Sequence, residues 1–191
     1  MSQDIDLKSL CGIDEAGRGP IAGPLVIAGV VLLSSIDGLR DSKRLTQKSR
    51  ERLYPKIISA SKYHIVTISH TDIDRYGISK SLNYGIREIM RAMGKISYLF
   101  DGNSTFGVGG IDTMVKADDK IDEVSAASIL AKVTRDRIMD SYAIEYPEYG
   151  FERHKGYGTV AHIEALKIYG RSPIHRKSFR VKAIDEPTLF V

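Results

Sequence analysis

The segment LCGIDEAGRGPIAGPLVIAGVVLL, residues 10–33, carries the reading that decides the fold. Its opening, LCGIDEA, reads as a strand that ends on two adjacent acids, Asp14 and Glu15. Its close, GPLVIAGVVLL, is rich in Val, Ile and Leu and reads as a second, buried strand. The two lie near enough in sequence to pair as a hairpin. The apolar run within the segment is too short to span a bilayer and begins among glycines and Pro24. Between the strands stands Gly17-Arg18-Gly19, a pattern that lets a phosphate or sugar approach the backbone. Two adjacent carboxylates should repel that same phosphate, so the segment holds an apparent conflict.

Strand and helix patterns interleave through the rest of the chain. TQKSRERLYPKIISA has the helical spacing of Leu53, Ile57 and Ile58, with Thr46 as cap. KYHIVTISH alternates as a strand does, and SKSLNYGIREIMRAMG is helical with Gly94 as a stop. ISYLFDGN and DTMVKAD are short strands ending on acids. DEVSAASILAKVTRDRIMDSYAIEYP predicts a long helix with Ala126, Ile129, Leu130 and Val133 inward. A further helix is expected near TVAHIEALKIYG, followed by a basic tail. This order predicts an α/β fold with a mixed sheet covered by helices.

Length and composition narrow the class. The 191 residues suffice for one domain with a sizeable core and a helical appendage. The single cysteine, Cys11, excludes an intramolecular disulfide, and no Cys/His spacing suits structural zinc. The N-terminus lacks an apolar signal region, and a cytoplasmic setting is expected. Net charge is +4, but its distribution says more. Between Arg153 and Lys182 eight Lys and Arg face one acid, Glu164, which suits a polyanion.

Four acids share a setting at or just after strand ends: Asp14, Glu15, Asp101 and Asp118. Ligands gather at strand ends in open α/β sheets. Carboxylates converging there repel one another unless divalent cations neutralise them, and hard oxygen donors suit Mg²⁺ or Mn²⁺. Such ions also remove the conflict with phosphate, because they invert the local charge. The glycines do not fit G-x-G-x-x-G, and no Gly-Lys-Ser/Thr follows, so neither nucleotide-binding fingerprint holds. A non-catalytic nucleic-acid binder would need the basic face but not four such acids.

The motif set resembles that of type 2 ribonuclease H, ribonuclease HII. GIDEAGRGPIAGP, DSKRLT, YLFDGN, VSAASILAKVTRDR, HKGYGT and HRKSF occur in family order over nearly the whole chain. The resemblance implies a ribonuclease H-like fold, with a mixed five-stranded sheet flanked by helices. It implies one domain over residues 1–191, with a core of about 1–146 and a C-terminal helical extension of about 147–191. It implies an endonuclease for RNA in RNA–DNA hybrids and for single ribonucleotides embedded in duplex DNA. Hydrolysis assisted by two divalent ions, Mg²⁺ or Mn²⁺, would cut 5′ of the ribonucleotide and leave 3′-hydroxyl and 5′-phosphate ends. The metal-binding catalytic acids map onto Asp14, Glu15, Asp101 and Asp118. The family's Lys-Gly-Asp spacing selects Asp118 over Asp119, although Ala117 replaces the glycine. Backbone groups of Gly17, Arg18 and Gly19 would contact the ribose 2′-hydroxyl, with Tyr157 packing on the neighbouring sugar. Lys43, Ser125, Arg176 and Lys177 are the expected phosphate contacts. The type 3 relative usually carries an extra N-terminal domain and lacks the Gly-Arg-Gly triplet. The tail EPTLFV, residues 186–191, loosely resembles segments that dock on DNA sliding clamps. A monomer is the expected state.

Overall fold

The computed structural model describes residues 10–39 and 45–186. Five strands form one sheet in the order β3-β2-β1-β4-β5. They are β1 (Leu10–Ala16), β2 (Leu25–Leu32), β3 (Ser61–Ile68), β4 (Ser97–Asp101) and β5 (Asp112–Met114). The hairpin of β1 and β2 is antiparallel, as is β2 with β3, whereas β4 and β5 run parallel to β1. The sheet is therefore mixed and five-stranded, as expected.

Burial of β2 on both faces explains its unbroken apolar run. Leu25 and Ile27 join Ile73 of α2 (His70–Tyr76) and Leu82, Ile86 and Ile89 of α3 (Ile78–Met93). Val26, Ala28 and Val30 face the other way, onto α1 (Gln47–Ala60) and α4 (Asp122–Glu145). Thr46 caps α1 by accepting from the Ser49 N–H at 3.2 Å. Pro55 lies inside α1, where proline costs about 3 kcal/mol. Burying Leu53 and Ile57 is worth about 1.5–3 kcal/mol each, so packing outweighs the proline and the helix runs through it. Helix α2 is an addition to the expected elements. Strand β3 stops at Ile68, and Ser69 caps α2 by accepting from the Asp72 N–H at 3.1 Å.

The start of α4 lies directly on β1. A Cβ at Gly12 would sit 2.3 Å from the Val124 nitrogen, so only glycine admits this approach. Cys11, beside it, is fully buried, and burial pushes its thiol up to about 12. Among the described residues, no helix is long and apolar enough to cross a membrane.

A third apolar cluster joins Ala22 and Met139 to Tyr149, Phe151, Leu166, Ile174 and Val181. Three helices frame it: α5 (Phe151–His154), α6 (Val160–Tyr169) and α7 (Lys182–Asp185). At its centre His162 and His175 are buried with their Nε2 atoms 2.9 Å apart. The Ser172 N–H donates to His175 Nδ1 at 2.9 Å, so that nitrogen carries no proton. His175 Nε2–H then donates to His162 Nε2, and His162 Nδ1–H donates to the Tyr157 carbonyl at 2.9 Å. The chain works only with both rings neutral, and burial pulls both down to about 4.

Each ring binds a proton more weakly folded than unfolded. Their contribution to stability is therefore complete above the unfolded value of 6.5 and is lost as pH falls toward about 4. The urea midpoint of the wild type is expected to drop through that window, and His162→Gln should flatten the slope. Parallel pH profiles of the two proteins would refute this assignment.

Candidate active site

The parallel register of β1 and β4 sets Ile13 beside Phe100. Asp14 and Asp101 follow one residue later on these adjacent strands. After β5 the backbone turns at Lys116, with φ 57°, into a 3₁₀ turn over Ala117–Asp119. The Ala117 N–H donates to Asp101 Oδ1 at 2.7 Å, tying this turn to the strand end. The left-handed φ falls on Lys116 rather than Ala117, so the residue replacing glycine is not the one that needs glycine's freedom. Asp118 is buried, and Asp14, Asp101 and Asp118 each place a carboxylate oxygen within 4.8 Å of the others. Asp119 is exposed and stands outside this group. Glu15 is not one of these three, but the Asp101 charge reaches it and, with Ser128, it lines the neighbouring cleft.

Burial and crowding disfavour the charged forms of Asp14 and Glu15. Burial, then the Glu15 charge, raises Asp14 well above the ordinary carboxylate range, while a hydrogen bond with Ser128 opposes the rise. Glu15 is pushed up to about 6 by burial, with Arg18 opposing and Asp101 adding to the rise. Glu15 Oε2 is buried without a hydrogen-bond partner, and Arg18 Nη1 lies 3.7 Å from Oε1. The donors are all hard oxygens, and one buried acceptor is unsatisfied. That set fits a divalent ion of the Mg²⁺ or Mn²⁺ kind.

Beside the acids opens a cleft of about 350 Å³, lined by Glu15, Gly17, Arg18, Gly19 and Tyr157. Gly17 has φ +97°, and a Cβ there would meet Arg135 Nε at 2.2 Å and the Pro24 oxygen at 2.5 Å. Arg18 extends outward with its guanidinium 5.2 Å from the Phe106 ring centre. Tyr157 is 45% exposed, with the Arg135 guanidinium 5.8 Å from its ring centre. Arg50, Ser128 and Lys132 also line the cleft, and none of them was among the expected contacts.

Two of the expected phosphate contacts are corrected. Arg176 is fully buried and donates to the carbonyls of Gly17, Arg18, Gly23 and Pro24 at 2.6–3.3 Å. Ser125 is also buried, and its hydroxyl donates to the Leu39 carbonyl. Neither side chain reaches the surface that a phosphate would approach. Lys177 is exposed, next to a turn held by Asp74, whose Oδ2 accepts from the Lys177 N–H at 2.8 Å. Lys43 and residues 187–191 of the tail lie outside the described residues.

Arg135 belongs with Arg176, yet motif reading passed over it. It is fully buried and donates to Pro24 at 2.9 Å and to Ala22 at 3.2 Å. Its spacing of four from the buried Ala131 and Met139 is the available signal: a charged residue on the core stripe of α4. Burying a guanidinium costs several kcal/mol, offset by hydrogen bonds to charged groups worth about 1.5–3 kcal/mol each. Burial, and then the Arg135 charge, pulls Arg176 down to about 9, which leaves it charged at neutral pH.

The mixed five-stranded sheet, with buried acids at its strand ends, has the architecture of a ribonuclease H-like fold. The Ribonuclease HII family model matches residues 11–182. Ribonuclease HII of Sulfurovum sp. (strain NBC37-1) is 65% identical over 185 residues, covering 97% of this chain and 98% of that protein. Ribonuclease HII of Aliarcobacter butzleri is 56% identical, covering 94% and 95%. Among solved structures, the RNase HII of Archaeoglobus fulgidus, determined in complex with PCNA, superposes with a TM-score of 0.81 at 28% identity, covering 94% of this chain and 98% of that one. The chain belongs to the ribonuclease HII family, and its enzyme class is type 2 ribonuclease H.

Asp118→Asn is expected to lower nicking by about 100-fold or more, since even residues that merely support metal ligands cost 10–100-fold. Asp119→Asn should remain near the wild-type rate. The reverse order in a nicking assay would overturn the choice between the two.

Proposed function

We propose that this ribonuclease H endonuclease acts on RNA–DNA hybrids and also on single ribonucleotides embedded in duplex DNA. The observation that carries the reading is the three-carboxylate cluster placed beside the Gly17-Arg18-Gly19 loop and the exposed Tyr157 ring. Asp14, Asp101 and Asp118 would hold divalent metal, with Glu15 completing the set through its unsatisfied oxygen. Two such ions, when bound, supply an activated water and stabilise the leaving oxygen of a phosphodiester. The loop's backbone N–H groups hydrogen-bond the ribose 2′-hydroxyl, the group that separates RNA from DNA. Tyr157 packs on the adjacent sugar and holds it in register. Lys177 and Lys43 add salt-dependent affinity for the strand without sequence preference. Water adds to phosphorus on the 5′ side of the ribonucleotide, and the bond to the upstream O3′ breaks. The products are a 3′-hydroxyl and a 5′-phosphate.

The Archaeoglobus relative's complex with PCNA supports a sliding clamp as a partner for the tail. Deleting Leu189–Val191 should then weaken capture by the clamp, and unchanged capture would dispose of the idea.

The decisive experiment is a nicking assay on a duplex with one ribonucleotide, run beside an all-DNA control, with Mg²⁺ and Mn²⁺ compared and both ends mapped. The expected result is a single cut 5′ of the ribonucleotide, abolished by chelation. Tyr157→Ala should slow this cut by about 10-fold, in line with the 1–3 kcal/mol of a base or sugar stack, without lowering the melting temperature. Cleavage of longer hybrids alone would sink the single-ribonucleotide reading.

A further inference from the structure

We infer that Arg176 is a positioning residue for ribose recognition: from behind the Gly-Arg-Gly loop it sets the direction of the N–H groups of Arg18 and Gly19. The inference rests on the reading of that loop as the 2′-hydroxyl sensor.

Arg176 Nη2 donates to the Gly17 carbonyl at 2.6 Å, and Nη1 donates to the Arg18 carbonyl at 3.3 Å. Every peptide bond in the described residues is trans. In a planar trans peptide the C=O of one residue and the N–H of the next point in opposite directions. A guanidinium that captures the Gly17 carbonyl therefore turns the Arg18 N–H away from itself. Capture of the Arg18 carbonyl does the same to the Gly19 N–H. Arg176 is fully buried, whereas Arg18 and Gly19 are exposed and line the cleft. Facing away from Arg176 is thus facing the cleft.

The same side chain closes the far end of the loop. Its Nε donates to Gly23 at 2.9 Å, and Nη2 also reaches Pro24 at 3.1 Å. Arg135 holds Pro24 and Ala22 from the α4 side. The guanidinium is planar and carries five N–H donors in a fixed fork, so it can serve four carbonyls at once. An ammonium is a point with three donors and cannot span the Gly17 and Arg18 carbonyls while also holding Gly23. Charge alone is therefore not the requirement at this position.

The test uses the full chain in an Asp101→Asn background, which binds without cutting. Affinity is measured for two duplexes that differ only in one 2′-hydroxyl. Arg176→Lys is expected to shrink the preference for the ribonucleotide duplex by about tenfold, the effect of losing one charge-assisted hydrogen bond, with little change on all-DNA. A merely structural role lowers both affinities together and leaves their ratio intact, and that result overturns the inference. Arg176→Gln, with one amide to offer, should show the same loss of ratio. A background protein with no 2′-hydroxyl preference at all would instead defeat the sensor reading itself. Should both variants fail to fold, amide exchange on the wild-type chain decides. The Arg18 and Gly19 N–H groups should exchange fast in the free protein and become protected by the ribonucleotide duplex only. Protection already present in the free protein would mean that they point inward, and the inference would fall.

Discussion

One strand register carries the chemistry. Ile13 and Phe100 pair across β1 and β4 and are both buried in the same apolar cluster. A slip of one residue would carry every side chain of a strand to the other face. Apolar packing thus fixes, at one remove, where Asp14 and Asp101 emerge. Asp118 is brought to them by a turn whose first N–H is tied to Asp101 itself. The core is the means by which three mutually repelling groups are held within 4.8 Å of one another. The raised proton affinities of Asp14 and Glu15 express the burial and crowding of that arrangement.

The loop and tyrosine proposed to read the ribose depend on a different part of the chain. The Gly17–Pro24 loop leaves β1, but its supports come from elsewhere. The Ile21 N–H donates to Gly156, the Gly23 N–H to Ile174, and the Arg176 N–H returns to Ile21, each at 2.9 Å. The neutral histidine pair ends on the carbonyl of Tyr157, the residue next to Gly156. Loop and tyrosine are consequently anchored in one small core, built on Phe151, Ile174 and Val181. The acids on the sheet and the loop held by this C-terminal core meet at Glu15 and Gly17, two residues apart.

Much of this was legible in the sequence because it depends on local pattern. Period and capping gave the five strands, α1, α3 and α4, and Thr46 as a cap. The choice of Asp118 over its neighbour came instead from the resemblance to the family's Lys-Gly-Asp motif. What escaped reading depends on burial at a distance. Arg176 and Ser125 sit in motifs rich in polar residues, and nothing local says that their partners are carbonyls of Gly17 and Leu39. Arg135 was hidden for the opposite reason: a lone charge in an apolar helix stripe looks like a surface residue until the loop that covers it is known. Helix α2 went unread: the strand was carried on to His70 and residues 71–76 were given no element, although Ser69 and Asp72 have the spacing of a cap.

The loop's partners on Arg176 stand 152 to 159 residues further along the chain. A growing polypeptide at the ribosome therefore completes β1, β4 and the acidic turn well before it acquires the means to hold Gly17 and Arg18. At about 5–20 residues per second, this interval lasts several seconds or more. Throughout it the nascent chain has its acids but not the side chain that holds the loop beside them. The hold on the Gly-Arg-Gly loop is among the last features of the chain to be synthesised, and termination anywhere before residue 176 removes it.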